Sequence, residues 1–444
     1  MKRPLLALSL ALLLALSPVA GQARAVSQHV VLISVDGLAA SDLDRAASLP
    51  NFGHIIGTGA VAREVRPVYP SLTYPSHTSI ITGTSPAKHG ITANTPLQPG
   101  VRDPEWYFWA RDIRVQTLYS AARKAGIRTA CVLWPVTARA SIDYLLPEIW
   151  PTKPGQSVTS LVLANGSPLT ILALNLRFGK MLRGTETDAL DDFTAASAAY
   201  VIRTRRPGLL MVHLTDLDHQ KHEFGSTSPQ ASEALARQDA RIGTILDAVR
   251  KAGITDSTTF VVMGDHGFLD TDHQINLNAL FVQEGLMTLA NDGTVTSWDA
   301  AVNPCDGSAH VYVKDDAARL RVMELLSDLE TRGAETGVES VDRSADFGPD
   351  GPAFVVEARR GYYFGGDVSG ELVVPARVRA THGYSPAKPE MATVFMATGA
   401  GIRPGSVVSS IDMTDVAPTL ARLMGVSLPD TEGRVIEEIL VMPE

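Results

Sequence analysis

The fold class of this 444-residue chain follows from one stretch near its start, Val30-Val31-Leu32-Ile33-Ser34-Val35-Asp36-Gly37. Its apolar, mostly β-branched residues predict a buried strand over residues 30–35, because such side chains favour strands that are covered on both faces. Residues 209–214 and 258–263 repeat the pattern, and each run is followed closely by carboxylate or imidazole side chains. Ligands bind at the carboxyl ends of strands in open parallel sheets, so this edge is the candidate functional site.

Amphipathic stretches alternate with these strands. We predict further strands over residues 127–133 and 392–397, and helices over residues 115–125, 187–204, 229–251 and 413–424. This alternation is typical of βαβ units, so the predicted class is α/β, with a mostly parallel central sheet and helices on both faces. Between about residues 276 and 380 the pattern changes to short strands, Gly-rich turns and one helix over residues 315–331. We interpret this segment as a smaller lobe inserted into a domain that spans residues 26–444.

The first residues have the pattern of a secretory signal peptide. Lys2 and Arg3 precede an apolar run over residues 5–16, and Ala23-Arg24-Ala25 has the small-x-small pattern of a cleavage site. The apolar run is shorter than the roughly 20 residues that span a bilayer, which favours cleavage over anchoring. We therefore predict a signal peptide over residues 1–25, a periplasmic or secreted protein, and no membrane span after cleavage.

The charge balance excludes one class of partner. Removal of residues 1–25 takes away three basic residues and no acidic ones, so the formal charge of −9 becomes −12. A surface that coats nucleic acid needs basic residues to neutralise phosphates, and this chain does not have that balance. If the substrate is nevertheless a phosphate ester, bound metal is the simplest source of local positive charge.

The two cysteines, Cys131 and Cys305, are too few and too far apart in sequence for a thiolate zinc site. A disulfide between them would persist in an oxidising compartment, but its formation cannot be deduced from sequence. Any metals should therefore be bound by histidine and carboxylate side chains.

Six such side chains follow predicted strands or come just before one, and they divide into two sets of three. The first set is Asp36, Asp265 and His266, and the second is Asp218, His222 and His382. Two zinc ions with three or so oxygen and nitrogen ligands each, plus an open position, need this number of donors. Within the second set, Asp218 and His222 are four residues apart and share a face on a helical turn. Asp216 and His219 compete for the same role, because the sequence alone does not fix the local backbone.

The candidate nucleophile is Thr73, in Tyr69-Pro70-Ser71-Leu72-Thr73-Tyr74-Pro75-Ser76-His77. Pro75 suits the first turn of a helix that residues 78–82 can continue, so Thr73 should lie at a helix N-terminus. The free amides and the dipole there favour a bound anion and a developing alkoxide. Helix capping is the alternative role of this hydroxyl.

Several segments resemble the motifs of a known family and occur along the chain in that family's order. They are Ser34-Val35-Asp36-Gly37, Leu72-Thr73-Tyr74-Pro75-Ser76-His77, His89-Gly90-Ile91 followed by Asn94, Asp218 to His222 leading into Glu223-Phe224-Gly225, Gly264-Asp265-His266-Gly267 and Thr381-His382-Gly383-Tyr384. On these segments the chain resembles the alkaline phosphatase superfamily and, within it, the nucleotide pyrophosphatase/phosphodiesterase family. The resemblance covers most of the chain.

The resemblance implies an alkaline-phosphatase-like core and a two-zinc hydrolase that cleaves phosphodiester or pyrophosphate bonds in a small phosphate ester or nucleotide. It makes Thr73 both the nucleophile, through a phosphothreonine intermediate, and a ligand of the first metal. Its metal ligands agree with the two sets above. Asn94 is similar to the family's asparagine that donates to a phosphoryl oxygen, and Tyr74 stands where the family usually has an aromatic beside the leaving group.

The chain departs from the family's sequence pattern in two places. Leu72 stands where many family members have a polar or basic residue, and residues 134–137 follow the family's corresponding stretch only in part.

The enzymatic alternative is a phosphomonoesterase or phosphonate hydrolase of the same superfamily. A Lys/Arg pair that could bind the second charged oxygen of a monoester is not placed near the site. The non-enzymatic alternative is a periplasmic metal-binding or phosphate-sensing protein, which would not need Thr73 and Asn94. The oligomeric state is left open.

Overall fold

The structure is a computed structural model, and it describes residues 25–101, 104–184, 186–344, 347–348 and 351–441. Apart from Ala25, the predicted signal peptide lies outside the described residues.

The strands are β1 His29–Val35, β2 Ala60–Arg66, β3 Thr129–Val132, β4 Tyr144–Leu146, β5 Leu209–Leu214, β6 Thr258–Met263, β7 Leu269–Ile275, β8 Met287–Leu289, β9 Val295–Trp298, β10 Ala300–Cys305, β11 Ser308–Val313, β12 Val338–Asp342, β13 Phe354–Ala358, β14 Gly361–Phe364, β15 Val373–Pro375, β16 Ala380–Thr381, β17 Thr393–Gly399 and β18 Ser406–Asp412.

The α-helices connect these strands and cover the sheets. They are α1 Leu43–Ala47, α2 Pro50–Thr58, α3 Thr73–Thr82, α4 Pro86–His89, α5 Leu118–Lys124, α6 Val158–Asn165, α7 Pro168–Phe178, α8 Thr187–Arg205, α9 Asp216–Phe224, α10 Pro229–Lys251, α11 Leu277–Gln283, α12 Asp316–Thr331, α13 Gly333–Thr336 and α14 Val416–Met424. Within the described ranges, no helix combines the length and the apolar character needed to cross a membrane.

The central sheet has eight strands in the order β18-β2-β17-β6-β1-β5-β3-β4. Strand β17 runs antiparallel to its neighbours β2 and β6. The pairings of β1 with β5 and β6, of β3 with β4 and β5, and of β18 with β2 are parallel. The predicted α/β class with a mostly parallel central sheet is therefore confirmed.

Both faces of the central sheet are buried, as the side chains of strand β1 illustrate. Val31, Ile33 and Val35 pack into a core that includes residues of α2, α8 and α10. Val30 and Leu32 point the other way, into a core that includes residues of α3, α5 and α14. Because alternate side chains of one strand enter different cores, the strand needs apolar residues on both faces, and Val30 to Ile33 together with Val35 provide them.

Most predicted elements lie where the sequence indicates, and the differences are local. Strands β5 and β6 and helix α10 have the predicted bounds. The helix predicted over residues 115–125 begins later, at Leu118, because the Thr117 hydroxyl accepts a hydrogen bond from the Ser120 backbone N–H and caps the helix there. The closing helix begins at Val416 after a 3-10 turn over Met413–Asp415.

Smaller sheets form from the segment after β6. Strands β10, β11, β13 and β12 form an antiparallel sheet, and β7 pairs with β14, β15 and β16. Helix α12 shares an apolar core with this part of the chain through Val322, Leu326 and Leu329. The division of the chain into a main domain and an inserted lobe at residues 276–380 stays a prediction. In the described residues Cys131 and Cys305 are buried, and both thiols are free.

Candidate active site

Three neighbouring parallel strands bring the predicted ligands to one edge of the central sheet. Strands β6, β1 and β5 lie side by side, so their carboxyl ends meet at the same edge. Asp36 follows β1 directly, Asp265 and His266 follow β6 after one glycine, and α9 begins two residues after β5 and carries Asp218. The parallel topology therefore brings Asp36 together with side chains that follow it by 182 residues or more in sequence.

Helix α9 provides two members of the second predicted set. Asp218 and His222 lie one turn apart, with Nε2 of His222 3.5 Å from Oδ1 of Asp218. His382 follows β16, and its Nε2 lies 3.7 Å from the same Asp218 oxygen. Both imidazoles donate from Nδ1 to backbone carbonyl oxygens, His222 to Ala380 at 2.9 Å and His382 to Ser71 at 3.1 Å. These bonds orient both rings and direct Nε2 toward the Asp218 carboxylate, as is usual for metal-binding histidines.

The first predicted set lies next to the second. Nε2 of His266 lies 3.1 Å from Oδ1 of Asp36, 3.2 Å from Oδ2 of Asp265 and 3.9 Å from Oδ1 of Asp218. The rings of His266 and His382 stack with centroids 3.5 Å apart. Asp218, His222 and His382 offer ligand atoms that all lie within 4.8 Å of one another, and so do Asp36, Asp218 and His266. The Asp218 carboxylate thus faces both groups, whereas the sequence assigned it to one.

Unpaired carboxylate oxygens make the site suitable for cations. Among the described residues, Oδ1 of Asp36, Oδ1 of Asp218 and Oδ2 of Asp265 are buried and accept no hydrogen bond. Burial and the charge of Asp36 raise the pKa of Asp265 to about 8 and that of Asp218 to about 6. Buried carboxylates that repel one another need a positive partner, and divalent metal bound by oxygen and nitrogen donors supplies it. The donor set fits zinc.

Thr73 is the first residue of helix α3, as predicted, and its side chain is buried in the same cluster. Leu72 is the N-cap residue, with extended backbone angles. The Thr73 hydroxyl oxygen lies 3.3 Å from Nε2 of His266, and the residue is 8% exposed. His77, one turn later, donates from Nδ1 to the Thr73 carbonyl at 2.7 Å, and the same nitrogen lies 3.5 Å from Oδ2 of Asp265. The start of α3 is thereby attached to the cluster of carboxylates and imidazoles.

Asn94 and Tyr74 lie beside the start of α3. Oδ1 of Asn94 accepts a hydrogen bond from the Tyr74 backbone N–H at 3.0 Å. This bond leaves the Nδ2 end of the Asn94 amide to donate elsewhere. Tyr74 is only 1% exposed, its ring meets Trp106 edge-on with centroids 5.1 Å apart, and its hydroxyl donates to Glu148 at 2.8 Å. Direct contact between Tyr74 and substrate stays a prediction, and the half-buried Trp106 covers its ring.

The two competing candidates on α9 lie outside the cluster. Asp216 is fully buried and accepts hydrogen bonds from Arg237 at 2.8 and 3.0 Å and from Arg241 at 2.7 Å. The side chain of His219 is 51% exposed and lies 3.4 Å from a Glu223 oxygen. The helix that brings Asp218 and His222 to the site therefore turns these two residues away from it.

His213, the last residue but one of the buried strand β5, contacts the site and was not predicted from the sequence. Its Nε2 donates to Oδ2 of Asp36 at 3.0 Å, and its Nδ1 donates to Oε2 of Glu148 at 2.7 Å. Burial alone would lower the pKa of His213, but Glu148 and Asp36 raise it well above its usual value. Burial likewise disfavours the charged form of Asp36, but the hydrogen bond from His213 and the nearby imidazole of His266 hold the pKa of Asp36 well below its ordinary range. The available signal was a histidine inside an otherwise apolar strand, since a buried imidazole needs a partner.

Lys221 was also missed. It is 1% exposed and donates from Nζ to the Gly37 carbonyl at 2.8 Å and to Oδ2 of Asp42 at 2.6 Å. Its position on α9, between Asp218 and His222, ties that helix to the turn that follows β1.

Comparison with known proteins identifies the family. A family model described as type I phosphodiesterase/nucleotide pyrophosphatase matches residues 30–385. The chain is 24% identical to human ectonucleotide pyrophosphatase/phosphodiesterase family member 1 over 249 residues, which are 53% of this chain and 23% of that protein. It is 23% identical to a Caenorhabditis elegans ectonucleotide pyrophosphatase/phosphodiesterase over 425 residues, covering 93% of this chain and 45% of that protein. The chain thus spans less than half the length of these two relatives.

Solved structures agree on the fold. Murine ectonucleotide pyrophosphatase/phosphodiesterase 5 superposes with a TM-score of 0.67 at 18% identity, covering 93% of this chain and all of the murine chain. A second murine structure, an inactive threonine-to-alanine variant in complex with AMP, gives the same values. The family model extends from β1 past His382, so it includes every element that carries the site. The chain belongs to the type I phosphodiesterase/nucleotide pyrophosphatase family.

Proposed function

We propose that this chain is an exported two-zinc hydrolase that cleaves phosphodiester or pyrophosphate bonds through a phosphothreonine at Thr73. The proposal rests on one observation above all: the Thr73 hydroxyl oxygen lies 3.3 Å from Nε2 of His266, inside a cluster of buried carboxylates in which one oxygen each of Asp36, Asp218 and Asp265 accepts no hydrogen bond within the described residues. A hydroxyl needed only to cap a helix would not have to lie beside metal-binding side chains. The exported location rests on the signal peptide predicted over residues 1–25.

The proposed metal-binding roles follow the two sets of three ligands predicted from the sequence. Asp36, Asp265 and His266 would hold one zinc together with Thr73, and the other zinc would be held by Asp218, His222 and His382. When bound, zinc supplies Lewis-acid polarisation of the phosphoryl group and lowers the pKa of a coordinated hydroxyl or water. Asp218 faces both groups and would help to keep the two sites close together.

The reaction is two in-line displacements at phosphorus. The Thr73 oxygen attacks, the bond from phosphorus to the leaving oxygen breaks, and the hydroxyl proton passes to that oxygen, which gives phosphothreonine and an alcohol or phosphate. Water then attacks the same phosphorus from the side that the leaving group vacated. One proton of this water returns to the Thr73 oxygen, and its hydroxyl stays on phosphorus in the product, a phosphate monoester. Each displacement inverts the phosphorus, so the overall configuration is retained. Thr73 is held for this attack by its place at the first position of α3.

Asn94 stabilises the charge that develops on a non-bridging phosphoryl oxygen. Its Oδ1 is committed to the Tyr74 backbone N–H, which presents the Nδ2 group as the donor. Such a donor contributes about 3 kcal/mol to transition-state stabilisation. A diester places one negative charge on the phosphoryl group, which the two metals and this amide can accommodate.

A monoester carries a second charge that needs a further cationic group. Lys221 lies on the helix that carries Asp218 and His222, but it is committed to Asp42 and the Gly37 carbonyl. This arrangement favours a diester or pyrophosphate as the substrate. The AMP complex of the murine relative supports a nucleotide as the substrate class.

Rates on matched chromogenic substrates test the proposal. Zinc-loaded protein is mixed with bis-p-nitrophenyl phosphate, p-nitrophenyl phosphate and a p-nitrophenyl phosphonate, and nitrophenol release is followed. We expect the highest kcat/KM on the diester. A higher value on the monoester or the phosphonate would instead support the alternative hydrolases. Zinc binding without turnover of any of the three would support a metal-binding protein and contradict the proposed activity.

A further inference from the structure

A chain of hydrogen bonds connects the metal side of the site to the phosphoryl-binding side. Asp36 accepts from His213 at 3.0 Å, and His213 donates from its other nitrogen to Glu148 at 2.7 Å. The second oxygen of Glu148 accepts from the Tyr74 hydroxyl at 2.8 Å. The backbone N–H of Tyr74 then donates to Asn94 at 3.0 Å. Three residues thus link a candidate metal ligand to the candidate phosphoryl-oxygen donor.

Each member of this relay comes from a different part of the fold. His213 lies on β5, where it is one of six buried residues, and β5 pairs directly with β1. Glu148 follows β4 at the end of the central sheet, and its side chain is 13% exposed. Tyr74 is the second residue of α3. A buried imidazole and carboxylate are costly unless each is paired, and this relay satisfies both nitrogens of His213 and both oxygens of Glu148.

The relay fixes the orientation of the Asp36 carboxylate. His213 occupies Oδ2, so Oδ1 is left pointing toward His266, at 3.1 Å from its Nε2. Without the His213 bond, the carboxylate could rotate about its terminal torsion, which is broad and soft. Partners outside the immediate ligand set usually determine how metal ligands are presented.

We propose that His213 and Glu148 are positioning residues that hold Asp36 and Tyr74 in one fixed arrangement, so that the metal side and the Asn94 side of the site stay aligned. This inference rests on the proposed function for the roles of Asp36 and Asn94. His213 acts on the metal through Asp36, and Glu148 acts through both His213 and Tyr74.

The fold contains a second tyrosine–glutamate pair that serves as a matched control. The Tyr69 hydroxyl donates to Oε2 of Glu357 at 2.9 Å, and Glu357 also accepts from Lys388 at 2.8 Å. Glu357 is buried and Tyr69 is half-buried, so this pair, like the Tyr74–Glu148 pair, joins one buried residue to one half-buried residue. The contacts of Glu357 do not include Asp36 or another proposed metal ligand in the described residues. If breaking a tyrosine–glutamate hydrogen bond were enough by itself to lower zinc affinity or kcat, the loss should therefore appear in the variants of both pairs.

The test compares Glu148→Gln and Tyr74→Phe with Glu357→Gln and Tyr69→Phe. Zinc affinity is measured by competition with a chromophoric chelator, folding by melting temperature, and kcat and KM on the diester. We expect Glu148→Gln to lower zinc affinity roughly 10- to 100-fold and Glu357→Gln to leave it unchanged. We expect Tyr74→Phe to lower kcat with little change in KM, and Tyr69→Phe to change neither. Equal zinc affinity in folded Glu148→Gln and wild type, or equal losses in both glutamate variants, would overturn the proposal.

A second pair of variants keeps the test decisive if Glu148→Gln does not fold. The amide nitrogen of His213→Gln can replace the donor to Asp36, whereas His213→Leu cannot donate. We expect zinc affinity to fall in the order wild type, His213→Gln, His213→Leu. Wild-type affinity in His213→Leu would reject the role of His213. Wild-type protein that binds no zinc or turns over no diester would instead reject the proposed function on which this inference rests.

Discussion

The hydroxyl oxygen of Thr73 and Nε2 of His266 lie 3.3 Å apart, although 193 residues separate them in sequence. The contact joins the first turn of α3 to the loop that follows β6. A hydroxyl at a helix N-terminus is common and usually serves as a cap. The same hydroxyl beside an imidazole that also faces Asp36 and Asp265 is in a position to act as a nucleophile.

Replacement of Thr73 separates nucleophilic attack from binding. Thr73→Ala removes the attacking oxygen, so we expect the diester rate to fall by ~10³-fold or more, as for other enzymes that lose their nucleophile. Thr73→Ser keeps the oxygen and should retain measurable turnover. The measurement is nitrophenol release by folded, zinc-loaded protein. Alanine and serine variants that both keep most of the wild-type rate would show that another group attacks phosphorus.

Replacement of His382 tests the second metal group. His382→Ala removes one of three side chains whose ligand atoms lie within 4.8 Å of one another, so we expect the zinc content to fall from two ions per chain toward one after dialysis. Zinc is measured by elemental analysis. His54→Ala, which removes an exposed histidine on α2, is the control and should keep both ions. Two tightly bound ions in His382→Ala would show that the ligand set is wrong.

Two substitutions of Asn94 distinguish donation from acceptance. Asn94→Ala should lower kcat by roughly 10²- to 10³-fold, because a donor to the developing charge is lost. Asn94→Asp can still accept the Tyr74 N–H bond, but it places a negative charge where the amide would donate. We therefore expect it to be at least as slow as the alanine variant. A fast aspartate variant would mean that Asn94 serves only to bind the Tyr74 backbone.

Asp216 should affect stability rather than metal binding. It is fully buried and pairs with Arg237 and Arg241, so Asp216→Ala leaves the buried Arg241 without that partner. We expect a loss of about 3 kcal/mol in the free energy of unfolding. Asp247→Ala removes an exposed partner of Arg250 and should cost less than about 1 kcal/mol. Denaturant titration gives both values, and loss of zinc from folded Asp216→Ala would contradict this assignment.

The sequence predicted those parts of the site that depend on local pattern and parallel topology. Strands β5 and β6 were recognised from continuous apolar runs, and polar residues at their ends had to meet at one edge once the strands were parallel. The residue pattern alone leaves Asp216 and His219 in competition with Asp218 and His222, whereas the family resemblance implies Asp218 and His222, and the structure brings these two to the cluster. The choice depends on the face that α9 turns toward the sheet, and four-residue spacing alone does not determine that face.

The sequence could not predict the relay through His213 and Glu148. The two residues are 65 positions apart, and they meet because β4 and β5 both pair with β3 in the sheet. Strand order is a long-range property that single-residue patterns do not encode. His213 lies inside the strand predicted over residues 209–214, and Glu148 belongs to no predicted element or motif. Similarly, the exposure of Tyr74 depends on Trp106, which packs over it from a separate segment.

In the proposed function, segments that are distant in sequence form two adjacent zinc sites beside the Thr73 hydroxyl. Anomalous diffraction from zinc-loaded crystals, collected above and below the zinc absorption edge, locates these ions. We expect two peaks, one among Asp36, Asp265 and His266 and the other among Asp218, His222 and His382, with Thr73 facing the first. A single peak, or peaks away from these side chains, would contradict it.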